Sequence, residues 1–219
     1  MPDLSLGIDL LRRALGPPAK PEVADGAREA AVAAILTPGT AGPDLWFIIR
    51  AHHPKDPWSG HVAFPGGRIE ASDADSRAAA MRETYEEIGV DLENADSLGP
   101  LDDLAPLGAT PRLLVHPHVF WLSSMPKPVL NPTEVSGLLQ VPLSGLLGGS
   151  GRGRFDLDWK GKSWVLPKVE LPHMSGESAR LWGMTLHIVD GLLHRIDGQG
   201  TGLERPLHSG VSAADALRT

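Results

Sequence analysis

FPGGRIEASDADSRAAAMRETYEEIGV, residues 64–90, is the stretch that decides the fold. A glycine turn, Phe64-Pro65-Gly66-Gly67, opens it, and Ser72, Asp73 or Asp75 can cap the helix predicted over Asp73–Ile88. Gly89 suits the position just past the helix end. At about 100° per residue, with Glu83 at zero, Glu87 falls near 40° and Glu86 near 300°. Ala78, Met81, Tyr85 and Ile88 fall between roughly 140° and 220°, which predicts an apolar core face opposite an acidic one. Three carboxylates crowded within about a quarter turn repel one another unless a positive charge sits among them. A hard divalent cation, which prefers oxygen ligands, answers that need.

A bare pair of glutamates on a helix is ordinarily just a solvated face. Here the pair comes with a glycine turn ahead of it, Arg82-Glu83 before it and a glycine stop after it. Gly67…Arg82-Glu83-Thr84-Tyr85-Glu86-Glu87-Ile88-Gly89-Val90 resembles the Nudix box, a Gly…Glu…Arg-Glu-x-x-Glu-Glu-x-Gly signature. Two departures stand out. The spacer from Gly67 to Arg82 is one residue longer than in the common box, and the position eight before Arg82, usually Glu, is Ala74. The longer spacer, the preceding Phe64-Pro65 and the Ser72-Asp73 pair resemble the coenzyme A pyrophosphatase branch.

The resemblance implies an α/β (α+β) fold, an α/β/α sandwich around a mixed sheet, and a metal-dependent pyrophosphohydrolase. It implies Glu83 and Glu87 as direct metal ligands, Glu86 as a ligand or a bridge to a second metal, and the Gly67 carbonyl completing the shell, with Mg²⁺ or Mn²⁺ as the metal. It also implies Gly66 and Gly67 as the turn that meets substrate. Arg82 can pair with Glu86 one turn on, and Asp73 or Asp75 is available to take over the hydrogen bonds of the glutamate replaced by Ala74. Glu134, in Asn131-Pro132-Thr133-Glu134-Val135, resembles the Glu-Val of this branch and is the candidate general base outside the box; its plain alternative is a surface acid at a loop end.

Upstream, Arg50 ends a predicted strand and can meet a phosphate bidentately. The branch pattern of Arg, a second Arg, then Gly before Phe-Pro-Gly-Gly is matched by Arg50, Gly60 and FPGG, but Asp56 stands where the second Arg is expected. Downstream, Arg180-Leu181-Trp182-Gly183-Met184-Thr185 resembles the Trp-Gly-x-Thr of the branch; Trp182 is either core or a base-stacking ring. His52, His53 and His61 lack the spacing of a zinc site. His116 and His118 share one face of a strand and can border the substrate. The resemblance covers about residues 28–197.

The rest of the chain supports one domain. At 219 residues, with 42% hydrophobic and 21% charged residues, it can bury a substantial core. A net charge of −7 disfavours nonspecific nucleic-acid binding. There is no cysteine, hence no disulfide, thiolate metal site or cysteine nucleophile. The N-terminus lacks a basic signal region and no apolar run approaches the ~20 residues of a membrane span; a cytoplasmic location and no membrane partner are expected.

Residues 3–15 predict an N-terminal helical arm, with Leu4, Ile8, Leu11 and Leu15 as its stripe. Strands are predicted over 28–37, 45–51, 59–64, 113–122 and 134–141, the first two joined as a hairpin by 38–44. A long connection covers 91–111, a helical turn 142–147, and a flexible tip the GGSGRGR of 148–154. A hairpin over 155–168 turns at Gly161, a helix runs over 179–196, and an irregular tail covers about 198–219. The expected partner is a small nucleoside diphosphate derivative, with coenzyme A, ADP-ribose, NADH and dinucleoside polyphosphates as alternatives and a homodimer left open. The reading of another class is a nucleotide sensor with this fold and no turnover; a retired site has no physical need for clustered acids.

Overall fold

The structure is a computed structural model. It describes residues 8–9, 11–13, 15, 28–105 apart from 55 and 57, 113–172 apart from 125 and 160, and 178–197. The tail over 198–219 and the loop residues 106–112 lie outside the described residues.

The alanine-rich stretch after residue 27 is a strand, as expected, and a long one. β1, Arg28–Gly39, sends Ala31, Ala33 and Ile35 to one face and Ala34 and Leu36 to the other, and all five are fully buried. Side chains alternate across a strand, so β1 feeds two cores at once. It turns at residues 40–41 into β2, Gly42–Arg50, a tighter hairpin than the predicted 38–44 loop.

β1 and β2 then part. They pair antiparallel only from Leu36 and Leu45 to the turn. Beyond that, β2 pairs with β3, Val62–Ala63, while the first half of β1 pairs with β4, Gly66–Arg68. The fork is thus filled by residues 62–68, the predicted short strand and glycine turn, and Pro65 contributes its carbonyl to the Ala33 N–H at 2.8 Å. On the far edge of β1 lies parallel β6, Leu113–Trp121, and beyond it antiparallel β5, Asp96–Pro100. The expected structureless connection of 91–111 therefore holds a strand. β7, Val135–Pro142, covers the other edge of β2 and runs into a helical turn, Leu143–Leu147, as the sequence predicts.

The first helix after the fork, α1, spans Ser76–Ile88. Asp75 is its N-cap, accepting from the Ala78 N–H, and Gly89 closes it in the left-handed conformation at φ 65°. The predicted core face is off by about a third of a turn, although Ile88 is buried as expected and Met81 packs against the edge of the core. Tyr85 is 62% exposed, whereas Ala79, Ala80, Thr84, Ile88 and Glu87 are buried. Small residues decide this: Ala79 and Ala80 let the helix lie close on Ala31 and Ala33 of β1, all in one cluster. That rotation turns Glu87 inward.

After the helical turn α2, Leu143–Leu147, the chain builds a second sheet from β8 (Arg152–Trp159), β9 (Lys162–Pro172) and β10 (Ser178–Trp182). β8 starts inside the predicted tip. The predicted 179–196 helix divides at Gly183. Before it, Leu181 is a strand residue paired with Val169; after it, α3, Gly183–Asp197, is helical. Gly183 at φ 61° makes the break, a conformation that favours glycine. α3 places Leu186, Ile188, Val189, Leu192 and Leu193 on the sheet face opposite α1. Of the N-terminal arm, Leu11 and Leu15 are buried in that same cluster. Helices on both faces of a mixed sheet give the expected α+β sandwich. Among the described residues, no helix is long and apolar enough to cross a membrane.

Candidate active site

The site grows from the fork in the sheet. Gly66 sits at φ 149°, and a Cβ there would overlap the Ala31 carbonyl and approach Val32 Cα. Only glycine lets the chain cross β1 so closely. Its free N–H points at α1 and donates to Glu87 Oε2 at 2.9 Å. At Gly67 an added Cβ would overlap the Glu83 carboxylate. The two glycines therefore bring the backbone against two of the three predicted carboxylates.

Glu87 is 4% exposed, a position carboxylates rarely occupy unpaired. Burial pushes its carboxyl up to about 8; the Gly66 N–H and Arg50 oppose this, and Glu83 and Glu134 add to it. Glu83 is raised by burial too, with Arg82 pulling it down and Glu86 and Glu134 pushing it up. Glu134 therefore belongs to the same electrostatic unit, although it lies outside the helix. It is held in an Asn131–Glu134 turn, where Asn131 Nδ2 donates to Glu134 Oε1 at 3.2 Å and the Asn131 N–H donates to the Glu87 carbonyl. The Asn-Pro-Thr sequence of that turn was a legible signal for Asn131, whose side chain also accepts from Thr133.

Arg82 is the hub of the exposed side. It reaches Asp73 through Nε and Nη2, both at 3.0 Å, Glu83 at 2.9 Å and Glu86 at 3.1 Å, and Nη2 also donates to the Arg68 carbonyl. The Arg82–Glu86 pair is as expected. Asp73, not Asp75, bonds Arg82, and Asp75 caps the helix instead. The hydrogen bond from Arg82 holds the Asp73 carboxyl below its ordinary range.

Arg50 ends β2, with Nε and Nη2 on Asp56 Oδ2 at 3.2 and 2.7 Å. The residue that departs from the upstream pattern thus forms an ion pair with the one that matches it. His118 lies away from this group, on Ser76 Oγ at 2.9 Å, and His116 faces Glu29 and Asp103. Those contacts place both histidines in support of α1 and β1.

Among the described residues, no three side chains are already gathered tightly enough to hold a metal ion. The donor chemistry nonetheless fits a hard cation. Glu83, Glu86, Glu87 and the Gly67 carbonyl are all oxygen donors. Burial and neighbouring carboxylates raise the Glu83 and Glu87 carboxyls, and a divalent ion would favour their charged forms.

The model of the NUDIX domain family matches residues 27–147. A protein from Schizosaccharomyces pombe is 37% identical over 126 residues, 55% of this chain and 38% of that protein. Nudix hydrolase 22 of Arabidopsis thaliana is 30% identical over 165 residues, 74% of this chain and 53% of the relative. The Nudix hydrolase NudL of Salmonella newport is 29% identical over 170 residues, 75% of this chain and 82% of the relative. The chain spans about half the length or less of the first two. Among solved structures, a NUDIX hydrolase from Alicyclobacillus acidocaldarius superposes with a TM-score of 0.48 at 19% identity, over 57% of this chain and 83% of that one. With the family model running from the first strand through the acidic helix and into the helical turn after β7, the chain belongs to the NUDIX family.

Proposed function

We propose that this chain is a divalent-metal-dependent hydrolase that cleaves the diphosphate linkage of a nucleoside diphosphate derivative. The observation that carries the reading is Glu87. A carboxylate buried beside Glu83 and Glu134, with Gly66 N–H as its direct partner, is costly in a purely structural helix. It makes sense as half of a cation site.

Glu83, Glu86 and Glu87, with the Gly67 carbonyl, would hold Mg²⁺ or Mn²⁺. When bound, such an ion neutralises the diphosphate and lowers the pKa of a water. The remaining work falls to the chain. Glu134, exposed at the rim, takes the proton from the attacking water. Arg50 offers its remaining N–H groups to a phosphate oxygen. Arg82 fixes Glu83 and Glu86 from behind, tied in turn by Asp73. Water adds to phosphorus, the anhydride P–O bond breaks, and two phosphorylated products leave.

Coenzyme A stays among the candidate substrates on the strength of the box spacing and the Phe64-Pro65 pair. For it the products would be adenosine 3′,5′-bisphosphate and 4′-phosphopantetheine. Asp56 bears on the choice: it neutralises Arg50 where a second arginine would add positive charge, which favours substrates with fewer phosphates near this loop. The test is a panel of coenzyme A, ADP-ribose, NADH and dinucleoside polyphosphates with and without Mg²⁺ or Mn²⁺. Metal-dependent cleavage of at least one is expected. Turnover of none by the folded protein would remove the enzyme reading.

A further inference from the structure

Away from the carboxylates, the molecule gathers four aromatic rings at the junction of its two sheets. Trp58 and His61 come from the loop after β2, Phe155 from β8 and Trp182 from β10. Trp182 is the centre: its ring centroid lies 5.1 Å from His61, 5.2 Å from Phe155 and 6.3 Å from Trp58, and Trp58 meets His61 edge-on at 5.5 Å. Arg180 lies over Phe155 at 4.4 Å.

Tyr85 on α1 is exposed and Trp164 on β9 is half-buried, but Trp46, Phe47, Phe64, Phe120 and Trp121 are buried. None of these four is, and Trp58 is 50% exposed. An aromatic surface of this size that stays in water in a folded protein marks a binding site more often than chance.

The Trp58 loop is also built. Ser59 Oγ donates to the carbonyl of His53 or of Asp56 and accepts from the His53 N–H; Asp56 Oδ1 accepts from the Trp58 N–H. The other oxygen of Asp56 holds Arg50. One carboxylate therefore ties the backbone of the exposed ring to Arg50. Arg50 in turn is close enough to influence both Glu87 and His61. Burial keeps the His61 imidazole below its usual range; Asp56 opposes this, and Arg50 and Arg180 reinforce it, so the ring stays uncharged near neutral pH.

We propose that Trp58, backed by His61 and Trp182, is the shelf on which the base of the substrate stacks. This rests on the hydrolase reading above and specifies where its nucleoside end lies. A base is the occupant because the rings are neutral and planar. They also sit next to Arg50, so a phosphate on Arg50 leaves the attached nucleoside facing them. Stacking on exposed rings tolerates any base, so the shelf confers preference for a nucleoside over a sugar alone without choosing among bases.

Binding of AMP and of ribose 5-phosphate to the full chain, measured by calorimetry, tests the shelf. Neither ligand has an anhydride to cleave, so the result is independent of turnover and of the substrate panel. The wild type should bind AMP at least about tenfold more tightly than ribose 5-phosphate, the scale of one stacked base. Trp58→Leu should lose most of that difference, Trp58→Phe should keep it, and ribose 5-phosphate should bind all three alike. Equal affinity for the two ligands in the wild type, no AMP binding, an unchanged preference in Trp58→Leu, or a parallel loss of both ligands would each overturn the proposal.

Discussion

Two side chains carry most of what distinguishes this box, Asp73 and Gly66. Asp73 meets one edge of the Arg82 guanidinium bidentately, and its carboxylate is nearly enclosed. A double-mutant cycle with Asp73→Asn and Arg82→Lys should therefore return a coupling of about 1–2 kcal/mol in urea unfolding, since contacting pairs couple in this range. Additive losses would show that the pair does not act as a unit. Gly66→Ala meets both a positive φ and an overlap with the Ala31 carbonyl. It should cost more than about 2 kcal/mol, or unfold the chain, by the same measurement. At this scale the sequence was informative about charge and poor about partners. Glu83, Glu86, Glu87 and Arg82 stand out by type and spacing alone. That Asp73 rather than Asp75 holds Arg82, and that Asp56 holds Arg50, depends on the path of loops that no periodicity encodes.

The box helix shows which features of an element can be read in advance. Its caps are local chemistry, so Asp75 and Gly89 were within reach. Gly89→Ala should cost about 1 kcal/mol, because φ 65° disfavours a side chain and the new Cβ would press on Val129. The helix's inward face was misjudged because hydrophobicity pointed to Met81 and Tyr85. What decides it is size, with Ala79 and Ala80 fitting against the alanines of β1. α3 failed in a similar way, since Leu181 matches a helical period by coincidence while Gly183 ends a strand. The joint between α1 and β6 makes a pH prediction. Burial pushes the His118 imidazole down to about 4; His116 and Arg77 reinforce this and Asp75 opposes it. The unfolded chain takes up this proton near 6.5 and the folded chain only near 4. Stability should therefore fall as pH drops from about 6.5 to about 4, by roughly 2–3 kcal/mol, and level off below. Subtracting the urea-unfolding profile of His118→Gln from that of the wild type should isolate this slope; parallel profiles would refute it.

Across the whole molecule, the forked sheet is the device that makes the site. Where β1 and β2 part, the glycine turn enters, and α1 docks with its acids turned toward it. The mixed sheet and flanking helices were legible from alternating strands and a strongly capped helix. The fork was not, because one strand pairing with different neighbours along its length leaves no mark on the hydrophobic pattern. In the second sheet the β8–β9 hairpin turning at Gly161 was legible, whereas β10 reads as part of the following helix. On the proposed reading, the acids gathered at the fork hold a catalytic cation. The most direct test of that reading is the initial rate of diphosphate cleavage by wild type and Glu87→Gln, before and after chelation and after return of Mg²⁺ or Mn²⁺. Wild-type cleavage should vanish with chelator and return with metal, and the rate should be at least about 100-fold lower in folded Glu87→Gln, the scale expected when a group stabilising transition-state charge is removed. Cleavage that survives chelation, or a Glu87→Gln variant as fast as the wild type, would contradict it.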